Sequence, residues 1–114
     1  MISVSTPGRI CLFGEHQDYL GLPVIPMAIN LRCKIIGNHT NDKKIITHKP
    51  DLNQTEIFDF DNLNYTKERD YFKSGIKICL NEGLKFYSGL ECTVTSEIPI
   101  NAGISSSSAI MVSW

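Results

Sequence analysis

The spacing of apolar residues changes once along the chain, and this change restricts the folds that are open to it. Before about residue 60, the sequence has short runs rich in Val, Ile and Leu, which are typical of β-strands. Leu90, Cys92 and Val94 alternate with polar residues, as in a half-buried strand. Between these parts, from about residue 66 to 88, apolar residues recur at intervals of three and four and predict one amphipathic helix: Phe72, Ile76, Cys79, Leu80, Leu84 and Tyr87. The spacing therefore predicts several strands and one amphipathic helix.

Other segments carry weaker local signals. Gly89 stands where that helix would end, since glycine is favoured just after a helix. A serine run followed by Ala109 and Ile110 is typical of the N-cap and first turns of a buried helix, and the sequence stops about two turns into it. We therefore expect the chain to be the N-terminal part of a longer protein. The predicted strands cover residues 2–13 (in two pieces, separated at Pro7-Gly8), 22–37, 43–48, 56–60 and 90–95, with turns at 38–42 and 49–55.

Composition excludes several classes of protein. The 114 residues give room for one domain. Eleven Lys and Arg against twelve Asp and Glu leave a net charge of −1, whereas nucleic-acid binding and polybasic membrane anchoring need a basic surplus, so neither partner is expected. The start of the chain lacks the basic residues and apolar run of a signal peptide, which predicts a cytoplasmic location. The cysteines include no Cys-x-x-Cys pair and are predicted to be reduced and mostly buried.

The first motif, residues 7–19, concentrates ionisable side chains directly after a predicted strand. Arg9, Glu15, His16 and Asp18 fall within ten residues of one another. Carboxylates accept hydrogen bonds from neutral hydroxyls, and Arg or His donates to carboxylates or to a developing anion, so the pattern suits a polyhydroxylated substrate. On the residues alone, a solvated loop whose charges pair with one another is the commoner explanation of such a segment.

The second motif, residues 99–109, combines a loop containing glycine, small hydroxyl residues and a predicted helix start. Free N–H groups and the dipole at a helix N-terminus favour an anion, and small residues let a phosphate approach the backbone. A serine hydroxyl can add a ligand to a metal ion that is bound to the phosphate. The segment lacks the Gly-Lys-Ser/Thr of a P-loop, and a plain serine-rich linker or N-cap is an open alternative.

Together the two motifs resemble those of the GHMP small-molecule kinases, the family of galactokinase, homoserine kinase and mevalonate kinase. Leu12 to His16 alone is equally similar to mevalonate kinase, but that family lacks the acid that Asp18 supplies here. Pro26 to Ile29 and Pro99 to Ala109 are similar to a second galactokinase pattern and to the family's phosphate loop. Three pieces of the first motif are spaced as in the galactokinase signature: Pro7-Gly8-Arg9, Gly14-Glu15-His16 and Asp18-Tyr19.

The resemblance implies a fold, cofactors and residue roles. The chain would form the opening part of a GHMP kinase N-terminal domain, an α+β fold of the ribosomal S5 domain 2-like type, and the C-terminal domain would lie outside it. The cofactors would be ATP and Mg²⁺, and the partner a small-molecule sugar. Arg9 would lie beside the transferred phosphoryl group, and the sugar would be held by Glu15, His16, Asp18 and Tyr19. The nucleotide phosphates would meet Gly103, Ile104, Ser105, Ser106, Ser107 and Ser108, and Ser107 (or its neighbour Ser106) would also be a ligand of Mg²⁺.

At four positions the sequence departs from the family pattern, and these departures affect the identity of the sugar more than the assignment as a kinase. Cys11 stands in place of an asparagine typical of galactokinases, Gln17 in place of a threonine, Asn101 in place of a glycine and Ser108 in place of an alanine. The family's catalytic Asp lies downstream of this segment, so the chain alone is predicted to be inactive. For the intact protein, the sequence predicts ATP-dependent phosphorylation of a monosaccharide hydroxyl. The alternatives are another GHMP kinase acting on a different small alcohol, and a sensor that binds sugar and ATP without turnover.

Overall fold

A computed structural model describes residues 1–67, 70–99 and 106–114 of the chain. Two short 3-10 turns lie at Asp18–Leu20 and Pro50–Leu52. None of the helices in these ranges is both long enough and apolar enough to cross a bilayer. The strands and helices are β1 (Ile2–Phe13), β2 (Ile25–Thr40), β3 (Lys44–Lys49), β4 (Gln54–Asp59), α1 (Tyr71–Asn81), β5 (Gly89–Ser96) and α2 (Ser106–Ser113).

The strands form one mixed sheet in the order β1-β2-β5-β3-β4. β3 and β5 run parallel, and the other neighbouring pairs are antiparallel. β2 is 16 residues long and pairs with β1 along both of its halves, but it pairs with β5 only from Cys33 to Thr40. Residues 9–13 of β1 and 25–28 of β2 therefore form a two-stranded ribbon that extends beyond β5.

Both helices contribute to an apolar core on one face of the sheet. Phe72 and Ile76 of α1 and Ala109 of α2 are buried in it. Trp114 packs edge-on against Phe72, with 4.8 Å between the ring centroids. Its Nε1 donates a hydrogen bond to the Phe72 carbonyl oxygen at 3.1 Å, which joins the end of α2 to α1. The strands supply alternate residues to this core: Cys33, Ile35, Ile45, Phe58, Cys92 and Val94.

The helix α1 is shorter than the apolar spacing predicts, and Gly89 does not end it. The helix ends at Asn81, and Gly83 adopts a left-handed conformation with φ of 91°. The amides of Gly83 and Leu84 donate to two carbonyl oxygens of the last turn, which is a Schellman ending. Leu84 and Tyr87 continue the helical spacing in sequence, but they lie exposed in the following loop. Gly89 instead begins β5.

The strand β1 runs through Pro7 and Gly8 without a break, which corrects the prediction of two extended pieces. Pro7 lacks an N–H group and cannot donate a hydrogen bond to a neighbouring strand. This is tolerated because β1 is at the edge of the sheet and has a neighbouring strand on one side only. The register with β2 shifts between Pro7 and Arg9, as at a β-bulge. β2 begins and ends three residues later than predicted, and it continues to Thr40 through residues predicted to turn.

The four cysteines are all free in the structure. Cys33 and Cys92 are buried, as predicted, whereas Cys11 and Cys79 are partly exposed. Burial raises the pKa of the Cys92 thiol to about 11 and also raises the pKa of Cys33. Because the thiolate is the reactive form, the two exposed thiols are the accessible and more reactive ones.

We expect Gly89→Ala to destabilise the fold. A methyl group at this position would contact the carbonyl oxygens of Asp42 and Lys44, which are backbone atoms and cannot rotate away. Overpacking of this kind costs about 1–3 kcal/mol. The loss is measured by urea-induced unfolding, followed by the fluorescence of Trp114, the single tryptophan. The control Ser88→Ala adds no atoms and should cost less than about 1 kcal/mol. Equal stability of the two variants would contradict the close approach of Gly89 to the carbonyl oxygens of Asp42 and Lys44.

Candidate functional site

The first motif forms a tight turn at the end of the ribbon, between β1 and β2. Gly14 opens the turn with φ of 87°, and its carbonyl oxygen accepts a hydrogen bond from the Gln17 amide at 3.1 Å. His16 has φ of 61°, a left-handed conformation that is uncommon for residues other than glycine. The 3-10 turn that begins at Asp18 then closes at Gly21, which has φ of 71°. The backbone thus holds three ionisable side chains of the motif on one short turn.

A cavity of about 310 Å³ lies against this turn. Its volume is at the lower end of the range of about 300–1,000 Å³ that is typical of small-molecule sites. β1 contributes Arg9 and Cys11, which are two residues apart and therefore share one face of the strand. The turn contributes the remaining ionisable groups, and Val24, the residue before β2, closes the cavity. The lining residues are Arg9, Cys11, Gly14, Glu15, His16, Asp18 and Val24.

Four of the five residues predicted to act in the first motif line this cavity, and Tyr19 does not. Tyr19 lies on the 3-10 turn with 76% of its surface exposed. Tyr19 is not among the residues that line the cavity, and its role in sugar binding stays a prediction.

Val24 also lines the cavity, and no pattern in the sequence predicts this. Its position depends on Gly14, because a Cβ atom on Gly14 would lie 2.6 Å from the Pro23 carbonyl oxygen and 3.1 Å from the Val24 Cα. The backbone of the turn therefore packs directly against residues 23–24 and brings Val24 to the cavity. A glycine followed by acidic residues, with an apolar residue about ten positions later, is too common a pattern to have indicated this contact.

The ionisable side chains of the cavity do not neutralise one another. None of the salt bridges among the described residues involves Arg9, Glu15, His16 or Asp18. All four residues are exposed to solvent, as in a solvated loop, but the pairing of charges within such a loop is not seen among the described residues. The carboxylates and the guanidinium instead face a space in which a ligand could satisfy them.

The second motif is described only in part, since Gly103, Ile104 and Ser105 lie outside the described residues. Ser106, Ser107 and Ser108 form the first turn of α2, as predicted. Ser107 and Ser108 are exposed, whereas Ser106 is partly buried and lines a second cavity of about 400 Å³. This second cavity is mostly apolar and lies between α1, α2 and the end of β5: Lys49, Asp51, Leu52, Tyr71, Phe72, Val94, Ser96, Ile98, Pro99, Ser106 and Ile110.

Lys49 is a fixed positive charge at the wall of the second cavity. Its Nζ lies 4.8 Å from the centre of the Phe72 ring and donates a hydrogen bond to Oε2 of Glu56 at 2.9 Å. Lys67 donates to the same oxygen at 2.9 Å. Burial raises the pKa of the Glu56 carboxyl, but the hydrogen bonds from Lys49 and Lys67 outweigh burial and hold the pKa below its ordinary value. The carboxylate therefore stays ionised and keeps Lys49 in place.

The described residues offer little to hold a metal ion by themselves. No group of three or more His, Cys, Asp and Glu side chains is arranged for a metal within the described ranges. Mg²⁺ is usually held by one or two carboxylates together with substrate phosphates, so a single serine hydroxyl can only complete such a site. Ser107 is exposed on the first turn of α2, and its role as a ligand of Mg²⁺ stays a prediction.

Curated relatives match almost the whole chain, and a family model matches its first third. The family model of the galactokinase galactose-binding signature matches residues 2–39. The galactokinase of Pyrococcus furiosus is 38% identical over 114 residues, which cover 97% of this chain and 31% of that protein. The mevalonate kinase of the same organism is 31% identical over 121 residues, which cover 97% of this chain and 36% of that protein.

The fold is also found in solved structures. The crystal structure of Lactococcus lactis galactokinase complexed with galactose matches with a TM-score of 0.86 and 30% identity, over 96% of this chain and 30% of that chain. The chain spans about a third of the length of the curated relatives it matches. Its α+β fold is thus the one that the resemblance implied, present in part. In its signature, its relatives and its fold, the chain is similar to galactokinases and mevalonate kinases, which are GHMP small-molecule kinases.

Proposed function

We propose that this chain is the N-terminal part of an ATP-dependent sugar kinase and that its first motif binds the sugar. The observation that carries the proposal is the cavity that collects Arg9, Glu15, His16 and Asp18 without an ion pair among them in the described residues. The full-length kinase, as the term is used below, is the protein that contains this chain together with the further segments that its relatives have.

The ribbon supports the proposal of further segments. Leu12, Phe13, Ile25 and Met27 leave between 45% and 71% of their surface exposed there. Phe13 and Ile25 are direct partners across the two strands, and large apolar side chains exposed together usually mark a surface that another part of a protein or a partner covers. In the full-length kinase, a C-terminal domain would provide that cover. The chain alone would then be inactive, and ATP turnover by purified residues 1–114 would refute this part of the proposal.

The chemistry of the cavity suits a sugar that is to be phosphorylated. Glu15 and Asp18 carboxylates accept hydrogen bonds from sugar hydroxyls, and such charge-assisted bonds are stronger than neutral ones. Arg9 provides a guanidinium at the same cavity, where it can stabilise negative charge that develops on the transferred group. In phosphoryl transfer the protein mainly positions the reactants and stabilises charge, so these residues need no covalent role. The similarity to galactokinases makes galactose the first substrate to test.

We propose that the nucleotide binds at the second cavity. Its apolar walls suit a planar base, and Ser106 connects it to the first turn of α2, where free N–H groups favour phosphate. Lys49 adds a fixed positive charge at its wall. Bound Mg·ATP supplies the phosphoryl group, and Ser107 would complete the coordination of Mg²⁺. Acidic ligands of the metal ion and the catalytic base would come from the rest of the full-length kinase.

A second candidate is a GHMP kinase that acts on a different small alcohol. The 31% identity to a mevalonate kinase favours it. A substrate panel with galactose, other monosaccharides and mevalonate, assayed by ADP release from the full-length kinase, separates the two. A sensor that binds sugar and ATP would bind galactose in the same assay conditions but release no ADP.

Asp18→Asn should weaken sugar recognition while sparing the nucleotide. The variant keeps the shape of the side chain but replaces a charged acceptor with a neutral amide. A hydrogen bond to a charged group contributes about 1.5–3 kcal/mol, so kcat/KM for galactose should fall roughly ten- to a hundredfold or more. The KM for ATP should change little. Asp42→Asn, in an exposed turn away from the cavity, serves as the control. Unchanged galactose kinetics in Asp18→Asn would contradict the proposed sugar site.

His16→Gly separates stability from sugar binding at one residue. Glycine relieves the left-handed backbone strain at φ of 61°, which costs a residue with a side chain about 1–2 kcal/mol. We expect the melting temperature to be unchanged or higher and the affinity for galactose to fall at least about tenfold. Thermal melts and calorimetry on the full-length kinase measure the two effects. A lowered melting temperature would show that the His16 side chain is needed for folding instead.

Ser106→Ala and Ser107→Ala test which hydroxyl acts at the nucleotide. Loss of an electrostatic contact to the transferring group in a closed site costs about 2.7–4 kcal/mol, so Ser107→Ala should lower kcat by roughly 10²–10³ and leave galactose affinity unchanged. A larger loss in Ser106→Ala would assign that role to the serine that lines the second cavity. Normal kcat per folded molecule in both variants, with lower melting temperatures, would mean that the two hydroxyls only stabilise the first turn of α2.

A further inference from the structure

The cavity of the first motif has two chemically different sets of lining residues. The turn provides the ionisable groups Glu15, His16 and Asp18. β1 provides Cys11, and the segment just before β2 provides Val24; neither residue has a part in the proposed chemistry. Among the described residues that line the cavity, Val24 alone has an entirely hydrocarbon side chain.

Val24 packs closely against Gly14 beside the cavity. A Cβ atom on Gly14 would lie 3.1 Å from both the Cα and the Cγ1 of Val24, so the two residues are already in close contact. Val24 is also half-buried, and its β-branched side chain has few rotamers. It therefore presents an apolar surface to the cavity that has little rotational freedom.

Cys11 extends this surface rather than adding a polar group. Its thiol donates a hydrogen bond to the carbonyl oxygen of Phe13 at 3.1 Å, so the only hydrogen that it could offer to a ligand is already used. The sulfur that remains is a weak acceptor. For a sugar hydroxyl, this part of the cavity offers neither a good donor nor a good acceptor.

We propose that Cys11 and Val24 contact the sugar directly and form an apolar wall that selects the substrate. The inference rests on the proposed function, because it assumes that the cavity binds a sugar. The wall meets a part of the sugar that carries only C–H groups, or a position at which the hydroxyl is dispensable. The substrate class that fits best is a monosaccharide whose hydroxyls converge on the turn and whose opposite part is apolar, including a deoxy sugar.

The expected selectivity follows from hydrogen bonding. A site built to hydrogen-bond a hydroxyl rejects the analogue that lacks it by as much as about 10⁴–10⁵-fold, whereas an apolar pocket discriminates against an added hydroxyl only by about 10²-fold. Removing a hydroxyl that faces Glu15 or Asp18 should therefore be far more harmful than removing one that faces Cys11 and Val24. A protein hydroxyl introduced at Cys11 or Val24 should increase discrimination against the analogue that lacks the facing sugar hydroxyl.

The first test measures contact between the sugar and Cys11 in the full-length kinase. Alkylation of each cysteine by iodoacetamide is followed by mass spectrometry, with and without galactose. At a galactose concentration of about ten times Kd, alkylation of Cys11 should slow about tenfold, because only the sugar-free fraction reacts. Cys79 is also partly exposed but lies on α1, and its alkylation should not change, which makes it an internal control.

The second test measures selectivity with monodeoxy analogues of galactose. In the wild type, one analogue should lose less than about tenfold in kcat/KM, and the analogues modified at turn-facing hydroxyls should lose about a hundredfold or more. Val24→Thr adds a hydroxyl with little change in shape and should increase discrimination against the tolerated analogue about tenfold. Ile25→Thr adds the same hydroxyl at the next residue, which does not line the cavity, and should leave the ratio unchanged.

The outcomes distinguish this inference from the proposed function. If galactose binds by calorimetry but Cys11 is not protected, or if Val24→Thr leaves the selectivity unchanged, the wall is wrong and the sugar site stands. If no monosaccharide binds, the sugar site is wrong, and the wall is overturned with it.

Discussion

The pairing of β2 with two neighbours is the constraint on which the rest of the structure depends. Its second half lies between β1 and β5 and brings Cys33 and Ile35 into the core under the helices. Its first half has only β1 as a partner in the described part of the chain, and there the two strands extend past the sheet. The same strand therefore stabilises the domain at one end and positions the cavity of the first motif at the other.

The turn at the end of the ribbon has a more strained backbone than the sheet that holds it. Gly14 and Gly21 adopt positive φ angles that suit glycine, but His16 adopts one that does not. Such strain persists where the surroundings fix the backbone, and it is concentrated at functional sites. Here the surroundings are the ladder between β1 and β2 and the close contact of Gly14 with Pro23. The ionisable groups are thus presented to the cavity before any ligand arrives, which lowers the conformational cost of binding.

Sequence reasoning succeeded where local chemistry decides the structure. Glu15, His16 and Asp18 are close in sequence, so a tight turn was sufficient to bring them together. The start of α2 at the serine run followed in the same way from capping preferences. The predicted strands and the helix α1 followed from the change in apolar spacing, because a helix and a strand cannot share one period. The fold class followed from the resemblance to the GHMP kinases.

The features that sequence reasoning missed depend on contacts between distant residues. Val24 reaches the cavity through the packing of Gly14 on the backbone of Pro23, and no local pattern encodes that approach. β1 continues through Pro7 because it is an edge strand, which is a property of the whole sheet. The apolar spacing of Leu84 and Tyr87 suggested a longer helix, but the left-handed Gly83 ends α1 before them. In each case the tertiary arrangement overrode a local preference.

A crystal structure of the full-length kinase with galactose tests the central claim most directly. We expect galactose in the cavity of the first motif. Its hydroxyl oxygens should lie about 2.5–3.0 Å from the carboxylate oxygens of Glu15 or Asp18, which is the distance of an O–H···O hydrogen bond. Galactose bound elsewhere, with the carboxylates of Glu15 and Asp18 facing only solvent, would contradict it.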